Sequence, residues 1–331
     1  GVLIIPGRNP MMPDAEMSAA TLARISEFAA EGLPVLSADT SIATYMLPYV
    51  DSTFDRIGIG RDLIALDEYG EYAKGLAFSH RSSDDTDIYF IANQSDKTRE
   101  LHISLRISGR VPELWYPASG EVTGCPGWES AGGRTIFKLR FAPCESVFVV
   151  LRNKTKATSG GQAVLPATFP AIIPGPWTVR FDPERYGGPA EGILFDTLYD
   201  WSVSPDERIK YYSGTAVYSA SFEYYPNDEY KYYIELDKLY NTASIKINGN
   251  GCGTLWTPPY RREVTKALVP RTNRIEIAVT NTWANRIIGD SRNIPYSGKR
   301  VWTNAKFTDG ITMQKSGIVG QVRIISAGST D

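Results

Sequence analysis

One group of residues in the last third of the chain carries the side chains that sugar-binding surfaces use. Its members are Trp256, Tyr260 and Arg261. Pro258 and Pro259 lie between them and stiffen the backbone, so an aromatic face could be presented at a small entropic cost. A pyranose ring could stack on such a face. The alternative is that Trp256 fills a core or docks against the preceding part of the chain.

A second group follows a strand that the alternation of Ile275, Ile277 and Val279 predicts. The group should therefore emerge at the edge of a sheet. Its polar groups could hydrogen-bond to the hydroxyls of a sugar, or they could form an internal network that fixes the loop, with the arginine paired to the aspartate. The members of this group are Trp283, Asn285, Arg286 and Asp290.

The numbers of histidines and cysteines exclude several other chemistries. The 331 residues include only two histidines, His80 and His102, so a serine–histidine triad and a multi-histidine metal site are nearly excluded. The three cysteines are too few and too scattered for a disulfide framework or a zinc knuckle. We predict no metal-ligand set. The sequence contains no loop of EF-hand type, although structural calcium remains open.

No spacing identifies the two opposed carboxyl groups that glycoside hydrolysis requires. The acidic cluster of Asp84, Asp85 and Asp87 precedes a predicted strand, which is typical of a solvated loop. His80, beside Arg81, is predicted to be a strand histidine satisfied by hydrogen bonds. The alternatives are that it contacts a sugar or faces the active site of a longer parent protein. We therefore predict no catalytic residue in this chain.

Charge and hydropathy narrow the range of partners. Lys and Arg number 35 and Asp and Glu number 37, giving a formal charge of −2, so bulk electrostatics favour neither nucleic acid nor an anionic membrane surface. No stretch approaches the roughly 18 apolar residues of a membrane span, and residues 1–10 lack the pattern of a signal peptide. We expect a soluble protein, either already processed or a fragment.

The first 75 residues are predicted to form an incomplete α/β domain. An apolar run at residues 2–5 indicates a buried strand, Ser18 and Gly32 would begin and end a helix, and residues 35–36 would form the next strand. One such unit cannot cover both faces of a parallel sheet. We therefore expect that the beginning of this domain was cut away, was lost, or lies upstream in a longer parent protein.

The remainder of the chain is predicted to be mainly β. Alternating apolar residues from Leu101 to Ile107 indicate a small antiparallel β-sandwich over residues 76–152. A Pro- and Gly-rich linker should follow at 153–175. Residues 176–331 show strand patterns without helical periodicity and a hairpin signal at Asn248-Gly249, which together favour a jelly-roll sandwich.

Several phrases of the chain occur in an order that is typical of one protein family. Those of the last domain are PWTVRF (176–181), GGP (187–189), KYYSGTA (210–216), GTLWTPPYR (253–261), TNTWANR (280–286) and IGD (288–290). Those of the small sandwich are SHR (79–81), IYFIAN (88–93) and VPELW (111–115). Through these phrases the chain resembles the C-terminal region of glycoside hydrolase family 106, the α-L-rhamnosidase type.

The resemblance implies an amidotransferase-like opening piece and a jelly roll of galactose-binding-like type. In the family the catalytic carboxylates lie in an N-terminal (β/α)₈ barrel of about 250 residues, for which this chain has no counterpart. The first hypothesis is therefore a noncatalytic C-terminal part, inactive alone, that serves as a scaffold with accessory glycan contact. The alternatives are a standalone glycan-active hydrolase with its site between the two β modules, and a carbohydrate-binding module.

The resemblance also implies the surroundings of the protein. Its partner would be a rhamnose-containing glycan or the N-terminal catalytic region, with no cofactor, and its location would be periplasmic or extracellular.

Overall fold

The computed structural model describes residues 2–5, 16–37, 45–46, 58–161, 168–294 and 312–328. These residues are mainly β, in agreement with the prediction, and most of their strands pair antiparallel. The described part of the chain contains no (β/α)₈ barrel. None of its helices has the length and apolar character needed to cross a membrane.

The opening unit is a small parallel sheet with one helix. Ser18 Oγ accepts a hydrogen bond from the Thr21 N–H at 3.1 Å and caps the helix, and Gly32 adopts φ +90° just beyond its end, as predicted. A third strand pairs parallel with the second, one more than the sequence indicated. The elements are β1 (Leu3–Ile5), α1 (Ala19–Ala30), β2 (Val35–Ser37) and β3 (Tyr45–Met46).

The second unit is a small β-sandwich of two five-stranded sheets, ordered β13-β10-β11-β7-β4 and β5-β6-β12-β8-β9. The predicted alternation holds, since Leu101 and Ile103 are fully buried and His102 is exposed. The strands are β4 (Leu63–Leu66), β5 (Leu76–Ser82), β6 (Asp87–Asn93), β7 (Arg99–Leu105), β8 (Arg110–Tyr116), β9 (Glu121–Gly124), β10 (Trp128–Ala131), β11 (Arg134–Phe141), β12 (Ser146–Lys154) and β13 (Ser159–Gly160).

The third unit is a larger sandwich of a four-stranded sheet, β14-β23-β18-β21, and a six-stranded sheet, β16-β15-β17-β22-β19-β20. Its elements are β14 (Thr168–Ile172), β15 (Trp177–Arg180), α2 (Pro183–Tyr186), β16 (Ile193–Phe195), a 3₁₀ turn (Trp201–Val203), α3 (Glu207–Lys210), β17 (Thr215–Tyr224), β18 (Tyr230–Tyr240), β19 (Thr242–Ile247), β20 (Asn250–Leu255), β21 (Arg261–Glu263), a second 3₁₀ turn (Thr265–Ala267), β22 (Arg271–Thr280), α4 (Ala284–Ser291) and β23 (Gly317–Gly328).

Local sequence explains much of this third unit. Asn248 and Gly249 adopt φ +53° and +81° in the turn between β19 and β20, as the hairpin prediction requires. The core is built around Trp201, whose Nε1 donates to the Tyr218 hydroxyl at 2.6 Å. The expectation that this part of the chain lacks helices is wrong for α4, which is eight residues long.

The strands also show how the three units are connected. β4 lies within the range predicted as α/β but pairs with β7 of the small sandwich. The segment predicted as a linker contributes β13 to the small sandwich and β14 to the large one. Backbone hydrogen bonds in these short strands therefore join the segment to the sheets on both sides.

Candidate functional site

The first predicted sugar-binding group is divided by the structure. Trp256 follows β20 and is 61% exposed, so it does not fill a core. Tyr260 packs against the core of the large sandwich, and burial raises its pKa. The Arg261 guanidinium lies 3.9 Å from the centroid of the Tyr233 ring. Within this first group, Trp256 is therefore the residue that presents a broad exposed aromatic surface.

The second predicted group lies on and beside α4 rather than in an open loop. Asn285 Nδ2 donates to the Gln314 carbonyl at 2.7 Å, and Asn285 Oδ1 accepts from the Gln314 N–H at 2.7 Å. Arg286 Nε lies 3.6 Å from Asp290 Oδ1, and both side chains are more than nine-tenths buried. Burial lowers the pKa of Arg286, and the Asp290 carboxylate opposes that effect. These three residues serve the internal network.

Trp283 differs from the rest of its group because it is 52% exposed. It borders a cavity of about 80 Å³ at the end of the six-stranded sheet. The hydroxyls of Thr215 and Thr280 meet across neighbouring strands at 2.7 Å inside this site. The cavity is lined by Ser213, Gly214, Thr215, Thr280, Asn281 and Trp283.

Asn281 fixes the wall of this cavity. Its Oδ1 accepts from the Gly214 N–H at 2.9 Å, and its Nδ2 donates to the Tyr212 carbonyl at 2.9 Å and to Ser316 Oγ at 3.0 Å. Both the oxygen and the nitrogen of the Asn281 amide are therefore hydrogen-bonded within the protein. The Thr215 and Thr280 side chains, in contrast, are exposed at the surface. An indole face beside a hydroxyl pair can stack on a sugar ring and exchange hydrogen bonds with it.

Sequence reasoning found Trp283 but missed the threonine pair. Thr215 lies on β17 and Thr280 on β22, and the two meet because of the antiparallel register of these strands. No local motif signals a pairing between residues so far apart in the chain.

A polar network in the small sandwich was also missed as a group. His80 Nδ1 lies 2.9 Å from Asp62 Oδ2, and His80 Nε2 lies 3.0 Å from Asp87 Oδ1. The imidazole stacks on Tyr89 at 3.9 Å between ring centroids, and the Tyr89 hydroxyl donates to Asp62 Oδ1 at 3.0 Å. The prediction that His80 is satisfied by hydrogen bonds is confirmed.

Asp87 corrects the interpretation of the acidic cluster as a solvated loop. Asp84 and Asp85 are exposed, but Asp87 is the first residue of β6 and its side chain is buried. Its second oxygen accepts from Arg110 Nη1 at 2.6 Å. The strand alternation turns this carboxylate inward, where the Arg110 guanidinium compensates its charge.

The two carboxylates that flank His80 do not form a hydrolytic pair. A glycosidase holds the scissile bond or a water molecule between its two carboxyl groups. Here the imidazole fills that gap, and Arg110 binds Asp87 from the other side. Burial, followed by the charge of Asp62, raises the pKa of Tyr89. The arrangement suits a structural network that links Asp62, which precedes β4, to β5 and β6.

Metal binding finds no support among the described side chains. Within residues 2–5, 16–37, 45–46, 58–161, 168–294 and 312–328, no three His, Cys, Asp or Glu side chains converge as metal ligands. Structural calcium stays an untested expectation.

Comparison with known proteins gives this fold a class. The rhamnosidase of Novosphingobium sp. PP1Y superposes on 94% of this chain with a TM-score of 0.77 and 25% sequence identity. The superposed region is 32% of that rhamnosidase. The chain is therefore related to glycan-active glycoside hydrolases.

The family resemblance stated from the sequence is confirmed. Residues 5–128 match the family model of glycoside hydrolase family 106, described as α-L-rhamnosidase. A protein of Formosa agariphila, provisionally named a β-glucuronidase, is 35% identical over 126 residues, which are 37% of this chain and 11% of that protein. The chain thus spans a third or less of the length of either relative.

Proposed function

We propose that this chain acts as a noncatalytic part of an α-L-rhamnosidase-like glycoside hydrolase, as a scaffold with accessory glycan contact. The observation that carries the proposal is the superposition of nearly the whole chain on about a third of a rhamnosidase. The carboxylates flanking His80 support it, because they are engaged in a structural network. A periplasmic or extracellular location, and a rhamnose-containing glycan or the catalytic region as partner, belong to the same proposal.

The contact between the two sandwiches also favours a scaffold. Arg262 Nη1 donates to the Ser119 carbonyl at 3.2 Å, and Nη2 donates to the carbonyls of Ala118 at 3.1 Å and Thr254 at 2.7 Å. One guanidinium thus ties the turn between β8 and β9 to β20. At this point the two β modules are joined by hydrogen bonds from a guanidinium to backbone carbonyls, groups that do not supply the opposed carboxyl pair of a hydrolase site.

The noncatalytic role is tested by assaying the purified chain on aryl α-L-rhamnosides. We expect no turnover, because the His80 imidazole fills the gap between the Asp62 and Asp87 carboxylates, where a glycosidase holds the scissile bond or a water molecule. The release of the aryl group is followed by absorbance over hours at high protein concentration. Hydrolysis that persists through repurification would reject the noncatalytic role in favour of the standalone enzyme.

The glycan contact is tested at the exposed tryptophans. Trp283→Ala should weaken binding of α-L-rhamno-oligosaccharides at least tenfold, or about 1.4 kcal/mol, since a central aromatic anchor commonly contributes that much. Trp256→Ala reports on the other predicted surface. Tyr69→Ala is the matched control, because Tyr69 is 82% exposed but lies on the small sandwich. Isothermal titration calorimetry that finds equal affinities for all four proteins would exclude both tryptophans as contacts.

A further inference from the structure

The outer face of the six-stranded sheet carries several small hydroxyl side chains on neighbouring strands. Along β17, residues 216, 218, 220 and 222 point into the core, so residues 215, 217, 219 and 221 point outward. The outward positions of the neighbouring strands add further hydroxyl side chains, which alternate with Arg180 on β15, Glu276 and Ala278 on β22, and Lys246 on β19. We call this surface the hydroxyl face, defined by Thr178, Thr215, Ser219, Ser221, Ser244 and Thr280.

The strand registers align these residues across the sheet. Ser219 pairs with Thr178 on one side, and Thr215 pairs with Thr280 on the other. Ala278, near the end of β22, pairs with Ser244 of β19. The same registers place Arg180 beside Val217 and Glu276 beside Ser219. Groups that donate and accept hydrogen bonds therefore border the row on both sides.

Two cavities open on this face, at opposite ends of the outward row of β17. The first is the cavity of about 80 Å³ that contains Thr215, Thr280 and Trp283. The second is an open groove of about 220 Å³. Val217 lies on the strand between them. The groove is lined by Pro176, Thr178, Ser219, Ala220, Ser221 and Arg274.

The length of the row sets the size of a ligand. Thr215 and Ser221 are six residue steps apart on one strand, about 20 Å at the strand rise, which is the length of about four linked pyranose rings. Ser and Thr hydroxyls both donate and accept hydrogen bonds, as sugar hydroxyls do. Arg274 is held at 3.0 Å from Glu276, so the charge at the groove end is compensated.

We propose that the hydroxyl face binds a linear oligosaccharide of about four units, laid along β17 from Trp283 to Arg274. The inference rests on the proposed glycan contact at Trp283, which supplies one end of the site. It adds the direction of the bound chain, its length and the hydroxyl contacts in the groove.

The test is calorimetric titration of the full chain with α-L-rhamnose and linear α-rhamno-oligosaccharides of two to six units. Affinity should rise with length up to about four units and then stay level. Ser219→Trp, which places bulk in the middle of the path, should lower tetrasaccharide affinity at least tenfold. Lys231→Trp, at an exposed position of the other sheet, is the control.

A double truncation covers the case in which Ser219→Trp fails to fold. Thr178→Ala combined with Ser219→Ala removes two groove hydroxyls and should lower tetrasaccharide affinity several-fold. Affinity independent of chain length, but dependent on Trp283, would overturn this inference and leave the single glycan contact standing. No binding of any saccharide would overturn both glycan proposals and leave the noncatalytic role to the hydrolysis assay.

Discussion

Replacing Asp87 with alanine should lower the free energy of unfolding of the small sandwich by about 3 kcal/mol, the cost of removing one partner from a buried ion pair. Asp87 is buried, its Oδ1 lies 3.0 Å from His80 Nε2, and its Oδ2 accepts from Arg110 Nη1 at 2.6 Å. Without the carboxylate, the largely buried Arg110 would keep its charge with only backbone carbonyls as acceptors. The change is measured by denaturant unfolding monitored by circular dichroism.

Asp85→Ala is the matched control for this prediction. Asp85 lies two residues away, but its side chain is 85% exposed and its partner, Lys154, is 3.8 Å away. Such a surface pair is worth less than about 1 kcal/mol, so this variant should unfold almost as the parent does. Equal stabilities of the two variants would show that the His80 network contributes nothing measurable.

Gly317→Ala should destabilise the large sandwich by about 3 kcal/mol, from strained backbone and overpacking together. Gly317 begins β23 with φ +92°, a region that favours glycine. A Cβ at this position would lie 2.5 Å from Trp201 Nε1. Trp201 is fully buried and hydrogen-bonded to Tyr218, so it has no room to yield. Thermal unfolding should show a lower melting temperature. The near-UV circular dichroism bands of the aromatic side chains should be broader than in the parent protein.

Gly249→Ala separates the two causes. Gly249 has a similar φ of +81°, but a Cβ there would meet no atom within 4 Å. This variant carries only the backbone penalty, about 1 kcal/mol. If both glycine variants lost the same stability, steric conflict with Trp201 would not be the cause of the Gly317 effect.

Whether a site could be predicted from the sequence depends on how far apart its residues lie along the chain. Trp256 and Trp283 could be predicted as candidate sugar contacts because a tryptophan close to prolines or polar residues is recognisable in the local sequence. Arg286 and Asp290 are four residues apart, so their alternative role as a pair was also visible. The Thr215–Thr280 pair and the Asp62–His80–Asp87 network were not, because each joins strands whose register no short motif encodes.

The amino-acid sequence alone determined the features that depend on neighbouring residues. These are the cap at Ser18, the αL residue Gly32, the Asn248-Gly249 turn and the two-residue alternation that makes the chain mainly β. Tertiary structure decided which strands pair, and therefore which side chains meet. It turned Asp87 inward, buried Arg286 on a helix, and aligned the serines and threonines of separate strands on one face. The physical reason is that alternation fixes which face a residue takes within its own strand, whereas its cross-strand neighbours depend on the packing of the whole sheet.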